Sequence, residues 1–596
     1  MFLKYIKKIL NILPKRILLF LGILIGLCFY LNKKKRKVAF KNIKLAFPEK
    51  TNREIVSILR KSFINFGISI IETLIIPRII KSVKLKGIKD IDNAIMLGIH
   101  EGSWELYNAV LAYNFRYAIF AREQPNKNLY KFLENIRKEN NIISCHSLKE
   151  FVRYLKNNYI VGLSFDHGAG KDSFYVEFFG HLVPTPKGAV YLAKKYNRKI
   201  YAGFGHRVSG FNHILEFSVP LEPDLDEKDT LLKLNKIYEE YIRKYPSEYF
   251  WLYKRFKRKK NLEILILSDR KKGHLRQSES FIKFLLEKIP YIKVKSIDIE
   301  YKRVFFKILA DFCCIFSGKH CFGCGRCLRF ILKKDVYKEL QRVYTDIVLS
   351  TGSFCASLNR IFSFTLDAKS ISILRPNVGL SKFNFIILPE HDKVNLSNIV
   401  NIKGALYYPY DLEKKAYSCK DFFKLSDNKK ISLFLGGPLY DENIFFKNLK
   451  DFVYKFKEFS IKNNYKLLIS TSRRTPKNIE EYIEREFLNF INTETVVFAN
   501  RINYDFVFEG FVYFSDFVFV SSESISMISE VLSLKKPCVC LSFERLFGKY
   551  VNFLESIKND INFLEAPFSI ENIEPKISNL FEENKKVIIS AIEKFL

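Results

Sequence analysis

Short apolar runs that end in small, polar or charged residues recur along this chain, and a helical stretch follows most of them. Runs of this length that alternate with helices are typical of α/β domains with largely parallel sheets, because their strands are buried on both faces. Before residue 260 the clearest runs are residues 94–100 (AIMLGIH) and 159–165 (YIVGLSF). The pattern restarts at residue 261 and includes residues 261–269, 346–353, 383–392, 431–438, 465–476 and 517–524. The sequence therefore predicts an N-terminal α/β domain followed by two Rossmann-like domains.

The length of 596 residues exceeds what one hydrophobic core supports and indicates about three to five domain-sized units. A basic segment at residues 255–260 (RFKRKK) separates the first α/β pattern from the second, and the polar stretch 413–430 divides the second pattern. The predicted limits are 1–40 for an anchoring helix with basic flanks, 41–258 for the first α/β domain, and 261–415 and 425–596 for the two Rossmann-like domains.

An unbroken apolar run, residues 17–31, lies near the start of the sequence between basic residues. Lys15 and Arg16 precede it, and residues 33–37 (KKKRK) follow it. A bilayer crossing needs about 20 apolar residues, and Lys and Arg prefer the cytoplasmic side of a membrane. We therefore expect a monotopic or shallowly inserted anchor with both flanks at the cytoplasmic face. A buried helix of a soluble core is the alternative.

The chain carries 98 Lys and Arg against 63 Asp and Glu, a formal net charge of +35. Such an excess suits nucleic acid, an anionic membrane surface or phosphorylated substrates, although a coding bias that enriches Lys, Ile, Asn and Phe accounts for part of it. The basic residues are spread along the chain and no recognised nucleic-acid-binding motif is present. The composition favours membrane and phosphate partners over nucleic acid.

The run 94–100 ends in His100, and a helix is predicted to start after Ser103, so HEGSWE (residues 100–105) forms a strand-to-helix turn. The carboxyl ends of strands are where α/β sheets usually bind ligands. An imidazole beside a carboxylate suits acylation of a hydroxyl, because His100 can remove the acceptor proton while Glu105 fixes its tautomer and stabilises the imidazolium. The alternative is that Glu105 only complements the dipole of the first helical turn. The next run ends in Asp166.

Four separated blocks carry a family resemblance: NIKLAFPE, HEGSWE, Asp166 and VEFFGHLVPTPKGAVYLA. In this order and spacing, over about residues 6–258, the chain resembles the late acyltransferases of lipid A biosynthesis, the lauroyl/myristoyl transferase family. The resemblance implies transfer of a fatty acyl chain from acyl carrier protein to a hydroxyl of a Kdo-bearing lipid A precursor. It also implies a location at the cytoplasmic face of the bacterial inner membrane.

Within that family pattern, His100 corresponds to the general base and Glu105 to its partner. Asp166 matches an essential acidic position with a structural or orienting role, and Arg137 is the best-placed candidate for an important arginine upstream of it. The resemblance implies direct transfer without an acyl-enzyme. No cofactor is needed within the chain, because the carrier protein brings the thioester.

Glycine, hydroxyl and guanidinium groups follow successive strand-like runs in the second half of the chain. Adjacent glycines let a backbone approach a phosphate, hydroxyl and guanidinium groups bind it, and helix N-termini favour anions. Ordinary helix N-capping explains the serines equally well. The candidate phosphate-binding residues are Gly436, Gly437, Ser472, Arg473, Arg474, Ser522, Ser524 and Ser526.

Five further blocks, SDRKKGHLRQ, LPEHD, GGP, TSRRTP and SSESISMISEVLSLKKP, resemble the mitochondrial-fission family, whose members are similar to two-domain GT-B glycosyltransferases. This resemblance spans about residues 262–541. It implies a GT-B-type arrangement of the two Rossmann-like domains, with a nucleotide-sugar donor in the cleft between them. In that pattern a carboxylate near the last Gly/Ser loop holds the nucleotide ribose, which makes Glu530 the candidate here, and Gly273 and His274 are expected to face it from the first domain.

The sequence contains eleven cysteines, and a CFGCGRC segment holds Cys321, Cys324 and Cys327. This spacing resembles part of an iron–sulfur ligand set, or a structural zinc site completed by Cys313 or Cys314. Free thiols in a surface insertion are the alternative.

The two resemblances together predict an acyltransferase fused to a glycosyltransferase, both acting in lipopolysaccharide synthesis. The expected partners are acyl carrier protein, a glycolipid acceptor and the inner membrane surface. The alternative keeps an acyltransferase for another glycolipid and makes the C-terminal half a noncatalytic interaction module.

Overall fold

The computed structural model describes residues 7, 9–88, 91, 93–121, 126–166, 173–222, 226–316, 327–392, 394–502, 504–571 and 573–595. The chain divides into two compact units. The first unit comprises Met1–Leu262 with Lys338–Tyr344, and the second comprises Glu263–Tyr337 with Thr345–Leu596. Segment 255–260, which separates the two α/β patterns in the sequence, belongs to the first unit, and the side chains of Arg255 and Phe256 are buried there.

The strands of the first unit are β1 (Val83–Lys86), β2 (Ile95–Gly98), β3 (Tyr117–Phe120), β4 (Ile143–Cys145), β5 (Ile160–Ser164), β6 (Ser173–Phe178), β7 (His181–Pro186), β8 (Ile200–Ser209) and β9 (Asn212–Phe217). Among the described residues, seven of them form one sheet in the order β1-β9-β8-β2-β5-β3-β4, while β6 and β7 form a separate antiparallel hairpin. The central strand β2 pairs in parallel with β5 and β8. Ile95 and Leu97 face one hydrophobic core and Met96 faces the other, which explains why this strand reads as a continuous apolar run.

The helices of the first unit are α1 (Lys15–Tyr30), α2 (Lys33–Ala46), α3 (Asn52–Leu74), α4 (Ile76–Ile79), α5 (Trp104–Asn114), α6 (Lys127–Glu139), α7 (Leu148–Lys156), α8 (Gly188–Tyr196) and α9 (Glu227–Lys244). α5 starts at Trp104, directly after Ser103, as the sequence predicts.

Helix α1, which contains most of the apolar run near the start of the sequence, packs against α3 at glycines. A Cβ added to Gly67 would lie 2.3 Å from the Gly22 carbonyl oxygen and 2.3 Å from the Gly26 nitrogen. Only glycine therefore permits the two backbones to come this close. The opposite side of α1 leaves Phe20 and Leu24 exposed.

No helix among the described residues is by itself long and apolar enough to cross a bilayer. Two sharply bent pairs satisfy the same criteria of length and composition when taken together: Lys15–Tyr30 with Lys33–Ala46, bent by 91°, and Asn52–Leu74 with Ile76–Ser82, bent by 102°.

The second unit contains two six-stranded sheets in its described part, with the orders β11-β10-β12-β13-β14-β15 and β18-β17-β16-β19-β20-β21. We call them the first lobe and the second lobe. Every neighbouring pair in the second lobe is parallel. The strands are β10 (Leu262–Ser268), β11 (Ile292–Asp298), β12 (Ile347–Thr351), β13 (Lys369–Ile373), β14 (Phe385–Pro389), β15 (Ile399–Ile402), β16 (Lys430–Leu435), β17 (Lys466–Thr471), β18 (Thr493–Val497), β19 (Phe517–Ser521), β20 (Cys538–Ser542) and β21 (Ile561–Glu565).

The helices after β10 are α10 (Lys272–Leu286), α11 (Phe305–Phe316), α12 (Leu328–Ile331), α13 (Lys334–Gln341), α14 (Ala356–Leu366), α15 (Leu412–Phe423), α16 (Glu442–Lys462), α17 (Lys477–Phe487), α18 (Val507–Phe514), α19 (Ile525–Ser533), α20 (Lys549–Ser556) and α21 (Leu580–Phe595). The α/β class and the two Rossmann-like sheets are confirmed. The strand orders place a topological switch point beside β10 in the first lobe and between β16 and β19 in the second, where such sheets bind ligands.

Candidate functional site

The carboxyl ends of β2 and β5 bring His100 and Asp166 together. Gly98 pairs with Ser164, and each of the two polar residues lies two positions beyond its strand. Asp166 Oδ1 lies 2.8 Å from His100 Nδ1, and Asp166 Oδ2 accepts a 3.2 Å hydrogen bond from the His100 backbone N–H. A carboxylate at Nδ1 favours the tautomer that carries its proton there, so Nε2 becomes the nitrogen that can accept a proton.

The pair combines a buried carboxylate with a reachable imidazole, because the side chain of Asp166 is 4% exposed and that of His100 is 24% exposed. Burial lowers the pKa of His100, but the charge and hydrogen bond of Asp166, with a contribution from the charge of Glu105, outweigh it and raise this pKa above its ordinary value. His100 therefore has the position and the basicity expected of a general base.

Glu105, the carboxylate predicted to orient His100, has another partner. Arg137 donates from Nη2 to Glu105 Oε1 at 2.6 Å and from Nε to Glu105 Oε2 at 3.1 Å, and its Nη1 donates to Glu134 at 2.8 Å. Asp166, and not Glu105, therefore lies at Nδ1 where the tautomer is set, while the charge of Glu105 still favours the imidazolium. Glu105 lies in the first turn of α5, where it meets Arg137 of α6 in a bidentate ion pair that raises the pKa of the arginine.

Aromatic rings form a continuous wall beside His100. Its imidazole lies 5.5 Å from the ring of Trp104, which in turn lies 5.7 Å from Phe250 and 6.4 Å from Phe66. Phe66 of α3 lies 5.4 Å from Phe29 of α1. The wall therefore runs from the imidazole to the apolar helix α1.

Sequence reasoning missed two carboxyls of this unit that have raised pKa values: buried Glu101, directly after His100, and half-buried Glu248. Glu101 accepts a 2.6 Å hydrogen bond from the Gly205 backbone N–H, and burial raises its pKa well above the usual range. Burial also raises the pKa of Glu248 to about 7. For Glu101, the available signal was an acidic residue besides Glu105 inside the HEGSWE block. That signal becomes informative only once the burial of Glu101 is known.

The second lobe brings the glycine pair and the serine-rich turn together at its switch point. Gly436 N–H donates to Ser521 Oγ at 2.6 Å, and Gly437 N–H donates to Glu523 Oε1 at 3.0 Å. A Cβ on Gly436 would lie 1.7 Å from Glu523 Oε1, and one on Gly437 would lie 2.2 Å from the Arg474 carbonyl oxygen. Both positions require glycine because of this close approach. Their N–H groups bond within the protein here, whereas sequence reasoning directed them at a phosphate.

Glu523 is a further residue that sequence reasoning missed, and burial raises its pKa to about 7. Beside it, Arg474 Nη2 donates to Ser524 Oγ at 3.0 Å, and the Arg474 backbone N–H donates to Ser472 Oγ at 3.1 Å. The structure thus groups Arg474, Ser472 and Ser524 at the amino end of α19. Of the remaining candidates, it buries Ser522 and exposes Arg473 and Ser526.

Glu530, predicted to hold a ribose, is bound by a side chain of the first lobe. Arg276 of α10 donates to Glu530 Oε2 at 2.6 Å and to Glu509 Oε1 at 3.2 Å. Lys415 donates to the same Glu509 oxygen at 2.7 Å. Burial raises the pKa of Glu530 to about 7 against the opposing effect of Arg276. In this structure Glu530 therefore forms part of an ion-pair cluster that joins the two lobes.

His274 forms a second histidine–aspartate pair, at the switch point of the first lobe. Its Nδ1 lies 2.8 Å from Oδ2 of Asp269, which follows β10 directly, and the side chain of Asp269 is 4% exposed. A Cβ on Gly352, just beyond β12, would lie 2.8 Å from His274 Cε1. Gly273 is exposed, and an added Cβ there would meet no atom within 4 Å.

The residues on either side of His274 reach the second lobe. Lys272 Nζ lies 3.2 Å from Asp505 Oδ1, and Arg276 bonds to Glu530. His274 therefore lies in the first turn of α10, between two residues that contact the second lobe.

The predicted metal ligands fall mostly outside the described residues. This holds for Cys321 and Cys324, whereas Cys327 is half-buried directly before α12. In the described part of the chain, no group of three or more His, Cys, Asp or Glu side chains is arranged to hold a metal ion.

Two family models match the chain. Residues 2–258 match the family described as bacterial lipid A biosynthesis acyltransferase, and residues 276–578 match the family described as mitochondrial fission ELM1.

Curated relatives align with part of the chain. The lipid A biosynthesis acyltransferase of Haemophilus influenzae is 26% identical over 247 residues, which cover 38% of this chain and 78% of the relative. The lipid A biosynthesis palmitoleoyltransferase of Escherichia coli is 26% identical over 266 residues, which cover 41% of this chain and 86% of the relative. The lauroyltransferase of the same organism is 26% identical over 270 residues, or 41% and 87% of the two chains.

Among solved structures, the ADP-heptose lipopolysaccharide heptosyltransferase II of E. coli aligns at 11% identity over 56% of this chain and 98% of that chain, with a TM-score of 0.32. The UDP-GlcNAc 2-epimerase of Methanocaldococcus jannaschii aligns at 13% identity over 56% and 99% of the two chains, with a TM-score of 0.34. Scores this low carry no inference about activity.

Proposed function

The chain belongs to the bacterial lipid A biosynthesis acyltransferase family in its N-terminal half and to the mitochondrial fission ELM1 family in its C-terminal half, and we propose on this basis that it acylates a lipid A precursor. The donor in this proposal is a fatty acyl thioester of acyl carrier protein, and the acceptor is a hydroxyl of the precursor. The observation that carries it is the contact of His100 with buried Asp166 at the carboxyl edge of the first sheet.

In the proposed reaction, His100 Nε2 accepts the proton of the acceptor hydroxyl as its oxygen attacks the thioester carbonyl carbon. The new C–O ester bond forms and the C–S bond breaks. The carrier thiolate leaves and takes the proton from the imidazolium, so His100 returns to its neutral state. Asp166 keeps the other ring nitrogen protonated throughout and stabilises the transient charge. The amino end of α5 supplies backbone N–H groups for the oxyanion.

The aromatic wall supports an acyl substrate. Trp104, Phe66 and Phe250 offer apolar surface directly beside the imidazole, and the contact of Phe66 with Phe29 continues it to α1. The outer side of α1 is apolar, with basic residues at both ends. We propose that this helix lies in the cytoplasmic leaflet of the inner membrane, so that the glycolipid acceptor reaches His100 from the bilayer while acyl carrier protein delivers the acyl chain.

Lipid A mass spectrometry tests the proposal in a host that lacks its own late acyltransferase. Wild-type chain is expected to add one acyl mass, and His100→Asn is expected to abolish that gain. His274→Asn, in the second unit, is the matched control and should leave the acyl gain intact. No gain with wild-type chain present in the membrane fraction would reject the lipid A acceptor and favour another glycolipid.

For the C-terminal half, the proposed activity is transfer of a sugar from a nucleoside-diphosphate donor to the same class of lipid. Arg474 and Ser524 at the amino end of α19 would bind the diphosphate. His274, held by Asp269 in the first turn of α10, would accept the proton of the acceptor hydroxyl as its oxygen forms a bond to the anomeric carbon of the sugar and the bond between that carbon and the phosphate oxygen breaks. The nucleoside diphosphate leaves with that bond's electrons. The alternative is a noncatalytic module that only binds a partner.

Calorimetry with UDP and with ADP tests the binding step on full-length protein. Arg474→Met should weaken nucleotide binding, whereas Arg473→Met, at the exposed neighbouring arginine, should not. In the lipid A spectra, an added hexose-like mass that survives His100→Asn but disappears with His274→Asn would support sugar transfer. Binding of neither nucleotide would favour the noncatalytic module.

A further inference from the structure

Helix α11 of the second unit presents large apolar side chains to solvent along one face. Ile308 and Ile315 are 62% and 63% exposed, and Val304 and Phe305 at the start of the helix are 86% and 65% exposed. Their spacing of three, four and seven positions places them on one face of a helix. Phe330 of α12, also exposed, adds to the same region of the chain.

The opposite face of α11 is fixed to the body of the first lobe. Ala310 and Cys314 are fully buried. The charged residues of the helix bond locally, because Lys307 lies 2.9 Å from Asp311 and Asn377 donates to the same carboxylate at 2.7 Å. The exposed apolar row therefore lies on a helix whose opposite face is packed against the first lobe.

Basic residues lie at both ends of this surface. At the C-terminal end of the helix, Lys382 Nζ donates to the carbonyl oxygens of Cys314 and Ile315 at 2.7 and 2.6 Å. At the N-terminal end, the Lys302 ammonium donates to the Arg329 carbonyl oxygen at 3.0 Å, and this bond joins the segment before α11 to α12. The exposed cations of these two segments are Lys302, Arg303, Arg329, Lys333 and Lys334.

The acidic groups at this end are fewer. Glu300 forms ion pairs with Arg270 and Lys333, and Asp335 is exposed beyond Lys334. The balance of charge around the apolar row is therefore positive, which is complementary to an anionic surface.

We infer that α11, together with Phe330, docks the second unit onto an anionic lipid bilayer as an interfacial helix. The helix has 12 residues and at about 1.5 Å per residue is too short to cross a membrane. A row of Ile, Val and Phe suits the boundary between headgroups and acyl chains, and flanking Lys and Arg suit anionic headgroups. This contact is separate from the one proposed for α1, because it lies on the other unit.

A bilayer accounts for both parts of the surface. Nucleic acid would use the cations but leaves the isoleucines in water, and the core of a protein interface is depleted of charge. A protein partner and the segment 317–326 of this chain are the other occupants that the test can reveal.

The test uses full-length protein with the photoreactive residue p-benzoylphenylalanine at position 308 or 315. Position 491 is the matched control, because Ile491 is another isoleucine of the same unit and is 79% exposed. Position 20 in α1 reports the membrane contact of the first unit. Each protein is irradiated with vesicles of phosphatidylglycerol and phosphatidylethanolamine, with vesicles of phosphatidylcholine alone, and without vesicles, and lipid adducts are quantified by mass spectrometry.

We expect lipid adducts at positions 308 and 315 with anionic vesicles, at about tenfold the yield of position 491, since burial of one such side chain changes a partition constant by about this factor. The yield should fall with phosphatidylcholine vesicles, and also in 1 M salt, where the screening length is about 3 Å. Adducts at position 20 without adducts at 308 and 315 would overturn the inference and leave the α1 proposal standing. Adducts to segment 317–326 or to another protein in place of lipid would also overturn it.

Discussion

Replacing Asp166 with asparagine tests the central feature of the first site. Asp166 accepts two hydrogen bonds from His100, at 2.8 Å from the ring and 3.2 Å from the backbone N–H. Asparagine has one acceptor oxygen and one amide that only donates, so it cannot satisfy both groups. If the oxygen serves the backbone, the amide faces Nδ1, and the ring proton moves to Nε2. The nitrogen that should accept the hydroxyl proton is then occupied.

The magnitude follows from the ring bond, because the asparagine oxygen still serves the backbone N–H. A hydrogen bond to a charged group contributes about 1.5–3 kcal/mol, so the loss of transition-state stabilisation is about 1.5–3 kcal/mol. At about 1.4 kcal/mol per tenfold change in rate, kcat/KM should fall by about 10- to 100-fold. The wild-type enzyme should lose activity as pH falls through the raised pKa of His100. With the carboxylate gone, burial lowers this pKa, so the acidic limb of the residual activity should move to lower pH.

The assay follows consumption of an acyl carrier protein thioester with a lipid A precursor over a range of pH, using purified full-length protein in detergent. Asp226→Asn is the matched control, because Asp226 caps α9 and asparagine is an equally good cap. A variant at Asp166 that keeps activity within tenfold of wild type would refute the reasoning. An acidic limb that stays in place would show that His100 is not the titrating base.

Three further substitutions test other features of the fold. Glu105→Gln leaves the guanidinium of Arg137 without its bidentate partner. The free energy of unfolding, measured in urea, should fall by about 3 kcal/mol. A loss below about 1 kcal/mol would contradict a buried ion pair. Gly67→Ala places a Cβ 2.3 Å from backbone atoms of α1 and should cost about 1–3 kcal/mol, but Gly188→Ala points into open space and should leave the melting temperature almost unchanged. Glu523 has a pKa raised from 4.5 to about 7, so the stability it contributes is present below pH 4.5 and is lost as pH rises through 7. Melting temperatures between pH 5 and pH 8 should therefore fall less for Glu523→Gln than for wild type, and an unchanged slope would contradict this assignment.

The strands could be predicted from local sequence, because a strand that is buried on both faces is a continuous apolar run. His100 and Asp166 each stand where such a run ends, and parallel strands place their carboxyl ends at one edge. The same argument located Gly436 and Ser524 at the edge of another sheet. These positions could be predicted because they depend on chain direction and periodicity, which are local properties.

Side-chain partners could not be predicted in the same way. Glu105 is near His100 in sequence, but the partner of His100 comes from the neighbouring strand β5, and Glu105 turns to Arg137 on α6. Glu530 was assigned to a ligand, whereas Arg276 reaches it from the other lobe. An ion pair depends on which elements meet in space, and residues 254 positions apart give no sign of this in the sequence.

The sequence by itself determined the α/β class, the restart of the pattern near residue 261, the basic and apolar character of α1, and the strand ends that carry the candidate residues. Only the tertiary structure decided which carboxylate orients the imidazole, which carboxyls are buried enough to have raised pKa values, and which apolar helix remains exposed. Ile308 and Ile315 of α11, for example, face solvent although both are large and apolar. The physical reason is that hydrophobic periodicity records which side chains prefer to leave water, whereas exposure and pairing depend on the neighbours that the fold provides.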